Sequence, residues 1–125
     1  MRTGLPALVA IAVLTAGCSG SSGSDTSPSQ TPAATITITA SGVSPRSVTV
    51  PRGSQVQFVN NDTRAHDMDS DPHPEHTDCP PINAVGFLNP GQSRQTENLN
   101  TARTCGFHDH GDPTNANLHG SIVIQ

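Results

Sequence analysis

Short segments that alternate apolar and polar residues recur between residue 34 and the end of this chain, and proline or glycine interrupts them. The clearest is ATITITA (34–40), in which Ile36 and Ile38 would share one face of an extended strand. Further predicted strands are RSVTV (46–50), SQVQFVN (54–60), AVGFL (84–88), QSRQTENL (92–99), ARTCGFH (102–108) and GSIVIQ (120–125). Strands this short, separated by Pro/Gly turns such as GVSP (42–45), predict an all-β sandwich or barrel without a helix.

The segment after the third predicted strand has a different character. Residues 66–84 are rich in proline and are predicted to form a loop with little regular structure. Six of the ten acidic residues lie between Asp62 and Asp78, and three of the six histidines share this segment. The acids alone would fit a solvated loop equally well, but carboxylates combined with imidazoles indicate a cation site. The net charge of −4 provides no basic patch, which argues against nucleic-acid binding.

The N-terminal segment is predicted to direct export. An apolar run (5–16) follows Arg2, is too short to span a bilayer, and is typical of the core of a signal peptide. It ends in LTAGC (14–18), which resembles the lipobox of bacterial lipoproteins, where cleavage precedes a cysteine that then carries lipid. The resemblance implies a signal peptide over 1–17 and a lipid-anchored protein on the extracytoplasmic (periplasmic or cell-surface) side of a bacterial membrane.

The remaining sequence divides into a tether and one domain. Residues 18–34 combine the lipidated Cys18 with a stretch composed almost entirely of Ser, Gly, Thr, Pro and Ala, which predicts a flexible linker. One folded domain is therefore expected over 35–125. Because Cys18 is assigned to lipid, Cys79 and Cys105 remain, and an even pair in an exported protein favours a disulfide.

Three blocks of this domain resemble the cupredoxins, the family of plastocyanin and azurin. They are VSPRSVTVPRGSQVQFVNND with a histidine after it, LNPGQSRQT, and LHGSIVIQ. The resemblance covers about residues 35–125 and implies a Greek-key β-sandwich of about seven to eight strands with copper as cofactor. The motifs DPHPEHTDCP (71–80) and FHDHGDP (107–113) are similar to a His-rich variant group of that family.

The resemblance also assigns ligand positions. His66 occupies the place of the family's first histidine. The family's spacing, counted from Pro90, puts the thiolate position at His108, and Cys105 would face the other side of the same strand. Leu118 stands at the axial methionine position and offers no donor atom. The ligands implied are His66, His108 and His110, with His73 and His76 as further candidates, while His119 is interpreted as a surface residue.

The leading hypothesis is a lipid-anchored, monomeric copper-binding protein that captures, buffers or delivers Cu(II), with a redox or copper-transfer protein as partner and no enzymatic activity. The alternative is a blue-copper electron carrier that uses His66, Cys105 and His108, which would leave Cys79 as an odd thiol. A small copper enzyme and a metal-free binding module are two further hypotheses. The enzyme hypothesis has little support in the sequence, which supplies no clear proton donor or substrate pocket.

Overall fold

The computed structural model describes Gly4 and residues 30–125. Cys18, the rest of the predicted signal peptide and the linker up to residue 29 lie outside the described residues, so the lipidation hypothesis is not addressed by the fold. Among the residues that are described, no helix has the length and apolar character needed to cross a membrane.

Nine strands in the described part of the chain form two sheets packed as a sandwich. They are β1 (Ala34–Thr39), β2 (Gly42–Ser44), β3 (Ser47–Val50), β4 (Val56–Asn60), β5 (His66–Ser70), β6 (Gly86–Leu88), β7 (Ser93–Gln95), β8 (Arg103–Asp109) and β9 (Gly120–Ile124). The first sheet has the order β2-β1-β4-β7 and the second the order β3-β9-β8-β5-β6. Strands β1 and β4 are parallel, as are β3 and β9, and the other pairs are antiparallel. The predicted all-β sandwich is confirmed.

Two sequence-based expectations were wrong in detail. Residues 66–70 form a strand, not a loop, because β5 alternates buried and half-buried positions. Its inward-facing residues include His66 and Ser70, so hydrophobicity alone conceals the alternation. Residues 42–44, expected within a turn, form the short strand β2. The two 3-10 helices of the described residues, Pro80–Ala84 and Ala116–Leu118, are short and leave the all-β prediction intact.

The core lies between the two sheets. Phe58 of β4 and Phe107 of β8 are both fully buried, and their rings meet edge to face with centroids 5.0 Å apart. An edge-to-face aromatic pair contributes about 0.5–1.5 kcal/mol beyond the burial of its surface. Ile36, Ile38 and Ile122 pack in the same cluster, as the alternation of β1 and β9 predicts.

A disulfide joins Cys79 to Cys105, with an S–S distance of 2.07 Å. It connects the segment after β5 to the central strand β8, across a sequence separation of 26 residues. In the chain-entropy treatment, closing a loop of this length stabilises a fold by about 3 kcal/mol. Both cysteines are buried in the core, and the bond between them attaches the end of the segment 71–79 to β8 of the second sheet.

Candidate metal centre

The predicted ligands lie on two opposite faces of the second sheet. In the pairing of β5 with β8, Met68 is opposite Asp109 and Asp69 is opposite His108. Met68 belongs to the core, and His66 lies two residues away on the same inward face of β5. His108 lies on the outward face with Asp69. The structure therefore does not bring His66 together with His108 and His110.

His66 is held inside the sandwich by two acids. Its Nδ1 lies 2.6 Å from Oδ2 of Asp109, and its Nε2 lies 3.0 Å from Oδ2 of Asp62. All three side chains are at least 95% buried. The hydrogen bond from His66 is the main cause that lowers the pKa of Asp62 below its usual value, although burial opposes this effect. Because each ring nitrogen faces a carboxylate oxygen, neither is available to a metal ion in this arrangement.

A loop formed by residues 71–79 crosses the outward face of β8 and β5. The backbone N–H of Asp71 donates to the carbonyl of Gly106 at 3.1 Å, and that of Asp78 donates to the carbonyl of Asp71 at 2.8 Å. The side chain of Asn83 donates to the carbonyl of His76 at 2.8 Å. Together with the disulfide and an ion pair between Asp78 and Arg103, these bonds fix both ends of the loop over the sheet.

Three imidazoles meet where this loop faces the end of β8. His73, His76 and His110 each offer one ring nitrogen, and these three nitrogens all lie within 4.8 Å of one another. The shortest approach is 2.9 Å, between Nδ1 of His110 and Nε2 of His76. His73 and His110 are exposed and His76 is partly buried, so the group opens to solvent on one side. We call these three residues the histidine cluster.

His108 lies next to the histidine cluster, on the side that faces β8. Its ring centroid lies 5.1 Å from that of His76 and 5.4 Å from that of His73. The side chain is 1% exposed, and its Nδ1 lies 2.6 Å from Oδ1 of Asp71. The Nε2 atom is buried and has no hydrogen-bond partner among the described residues. His119, the sixth histidine, uses its Nε2 to donate to the carbonyl of Pro113 at 2.8 Å.

The electrostatics of the cluster suit the binding of a cation. Loss of hydration is the main cause that lowers the pKa of His73, and the neighbouring His110 and His108 act in the same direction. A lowered pKa favours the neutral form of the His73 ring, which carries the lone pair that a cation needs. On the adjacent β5, burial and the charge of Asp69 raise the pKa of Asp67.

The donor atoms of a blue-copper centre are not assembled here. Cys105 is bonded to Cys79 and offers no thiolate, and Leu118, which lines a small cavity with His66 and Asp109, has no donor atom. An all-nitrogen donor set does fit. A buried ring nitrogen without a hydrogen-bond partner is energetically unfavourable, and a bound metal ion would satisfy it by coordinating its lone pair. Nε2 of His108 is such an atom. Nδ1 of His76 is also buried without a hydrogen-bond partner among the described residues, but the nitrogen of this ring that meets His110 is Nε2, and one ion cannot bind both.

Sequence reasoning did not identify the acids that contact these histidines. The carboxylates of Asp62, Asp71 and Asp109 each approach one imidazole to within 3.0 Å. The acid-rich composition of the segment was visible, but composition does not reveal which carboxylate faces which ring. Strand parity could have found Asp109, because it shares the inward face of β8 with Phe107.

Comparison with known proteins identifies the fold. No protein-family model matches the chain, and no curated protein sequence matches it significantly. Solved structures do match. A purple cupredoxin from Nitrosopumilus maritimus shares 19% identity over 74% of this chain and 99% of its own, with a TM-score of 0.58. Plastocyanin from Dryopteris crassirhizoma shares 20% identity over 73% of this chain and 99% of its own, with a TM-score of 0.57.

A third similar structure is the Cu(I) form of an amicyanin variant, with 15% identity, a TM-score of 0.60, and coverage of 77% of this chain and 85% of its own. At these identities the likeness concerns the fold and not the ligands. The two mixed sheets, their parallel pairs β1/β4 and β3/β9, and these neighbours together identify the domain as a β-sandwich with the cupredoxin fold.

Proposed function

We propose that this chain is an extracytoplasmic copper-binding protein that captures, buffers or delivers Cu(II) through the histidine cluster. The observation that supports this proposal is the convergence of His73, His76 and His110, whose ring nitrogens lie within 4.8 Å of one another. Imidazole nitrogen is a good ligand for Cu(II), and also for Zn(II) and Ni(II). The cupredoxin fold of the domain, shared with plastocyanin and amicyanin, favours copper by analogy.

The 2.9 Å contact between Nδ1 of His110 and Nε2 of His76 is a hydrogen bond between the two rings. An ion bound to both nitrogens would replace this hydrogen bond. The spacing is not specific for one metal, and the analogy with the cupredoxin fold is what favours copper over zinc or nickel.

A metal ion bound by nitrogen ligands at the protein surface can be passed to another ligand more easily than an ion enclosed in the protein interior. His73 and His110 remain accessible to solvent, so a competing ligand can approach the ion directly. The acids between Asp62 and Asp78 would raise the local concentration of cations near this surface. These features favour capture and delivery over electron transfer at a blue site, for which Cys105 would have to be a free thiolate.

The metal-binding proposal predicts a specific spectrum. When the purified protein is titrated with Cu(II), we expect one equivalent to bind and to give a weak visible absorption and the EPR signature of a type 2 centre with nitrogen ligands. A thiol assay on the denatured, unreduced protein should find neither Cys79 nor Cys105 reactive. An intense visible band from a copper–thiolate bond would contradict the all-nitrogen site.

The extracytoplasmic location rests on the lipobox resemblance at residues 14–18 and on the linker that follows. In a bacterial host that processes lipoproteins, the protein should fractionate with membranes and carry lipid on an N-terminal Cys18. The variant Cys18→Ser removes the only thiol that the lipid could use, and it should not be processed to the lipidated form detected by mass spectrometry. Equal lipid labelling of the variant and the wild type would refute the anchor.

A further inference from the structure

We propose that His108 is a fourth nitrogen ligand of this centre and that Asp71 is the residue that positions it. The inference deepens the proposed function and depends on it, because the three-histidine cluster must bind the ion first. The cupredoxin resemblance already implied His108 as a ligand, and the structure adds the carboxylate of Asp71, which the convergence of His73, His76 and His110 does not involve.

The position of His108 matches that of the cluster residues. The ring centroids within the cluster are 5.7 Å apart for His73 and His76, 4.9 Å for His73 and His110, and 4.9 Å for His76 and His110. The distances from His108 to His76 and His73, 5.1 and 5.4 Å, fall within the same range. His108 therefore lies as close to two cluster residues as these residues lie to each other.

The tautomer of the His108 ring follows from its contact with Asp71. A carboxylate can only accept a hydrogen bond, so the 2.6 Å contact requires Nδ1 of His108 to carry the proton. In the neutral ring, Nε2 then carries the lone pair. That atom is buried and unpartnered among residues 30–125, which is an unfavourable state that an ion would relieve. A carboxylate behind an imidazole is the usual arrangement that fixes the tautomer of a metal ligand and increases its basicity.

Gly106 makes this arrangement sterically feasible. A Cβ atom at residue 106 would lie 2.0 Å from Oδ2 and 2.9 Å from Cγ of Asp71, which is far closer than atoms can approach. Gly106 also accepts the backbone hydrogen bond of Asp71. The absence of a side chain at residue 106 therefore leaves the space in which the Asp71 carboxylate reaches the His108 ring.

The variant Asp71→Asn tests the positioning role, because it keeps the shape of the side chain and removes its charge. We expect Cu(II) affinity to fall about 10- to 100-fold, as is typical when a carboxylate behind a metal-bound histidine is lost. The EPR parameters of the remaining complex should shift, and Asp71→Glu should restore part of the affinity. Asp78→Asn is the matched control, since it removes the same charge from the same loop but contacts Arg103 instead of a histidine.

Two further variants examine the geometry. Gly106→Ala should reproduce the effect of Asp71→Asn, and the double variant should lose no more affinity than either single one, because both disturb the same contact. With ¹⁵N-labelled histidine, the EPR hyperfine pattern should report four nitrogens in the wild type and three in His108→Ala.

The outcomes separate the two proposals. If the wild type shows three nitrogens and Asp71→Asn binds copper as the wild type does, the role of His108 and Asp71 is refuted while the three-histidine site stands. An equal loss in Asp71→Asn and Asp78→Asn would also refute positioning, because it would reflect loop charge alone. If the wild type binds no Cu(II), or binds it equally well without the cluster histidines, the proposed function itself fails.

Discussion

Replacing both His76 and His110 by alanine is expected to lower the affinity for Cu(II) by about 10,000-fold, which corresponds to about 5.5 kcal/mol. These two residues provide the closest pair of ring nitrogens in the histidine cluster, at 2.9 Å. Each single replacement should cost about 100-fold, because one strong nitrogen donor is lost and water takes its place. Competition against a chelator of known copper affinity measures the change.

The control for this experiment is His119→Ala. His119 is close to the site, with its ring centroid 5.7 Å from that of His108, but its Nε2 is bonded to the backbone carbonyl of Pro113. Its loss should leave the affinity within a few-fold of the wild type. Thermal unfolding of the metal-free variants should change little, since His110 is exposed and His76 lies outside the core. A double variant that still binds copper tightly would place the ion elsewhere on the molecule.

Replacing His66 by alanine is expected to cause a large loss of stability and little change in copper affinity, which is the reverse of the result expected for His76 and His110. The substitution leaves Asp62 and Asp109 buried without the group that both contact. Removing one partner from a buried charged network typically costs about 3–5 kcal/mol. Denaturant unfolding of the metal-free protein measures this loss, which should appear as a lower midpoint.

A second variant shows whether His66→Ala loses stability because two buried carboxylates lose their partner or because a cavity is left. Adding Asp62→Asn and Asp109→Asn to His66→Ala removes the uncompensated carboxylates and should recover part of the stability. Copper affinity, measured below the unfolding transition, discriminates between the two assignments of His66. If His66→Ala abolished copper binding while hardly affecting unfolding, His66 would be the ligand that the cupredoxin resemblance implies.

The fold was largely readable from the sequence because its strands bury alternate aliphatic residues. Ile36 and Ile38 in β1, and Val56 and Phe58 in β4, appear as alternating apolar letters and are buried in the structure. Strand β5 was not predicted, because two of its three inward residues are the polar His66 and Ser70, which make hydrogen bonds inside the sandwich. Hydrophobic periodicity cannot detect a strand whose buried positions are polar.

The site was less readable, because its residues come together only through long-range pairing. His108 and His110 are close in sequence, and the rings of both lie near His76. The path of residues 71–79 over that face depends on bonds such as the one from Asp71 N–H to Gly106, between residues far apart in sequence. Neither this path nor the enclosure of His66 by two acids has a local sequence pattern.

The outward position of the histidine cluster has a consequence for how such a protein can diversify. The candidate ligands are four histidines on the outward side of the second sheet, whereas the core lies between the two sheets. Substitutions that change the identity or number of ligands therefore need not disturb hydrophobic packing, and substitutions in the core need not disturb coordination. If the histidine cluster binds a metal as proposed, its metal preference could therefore change without a change of scaffold.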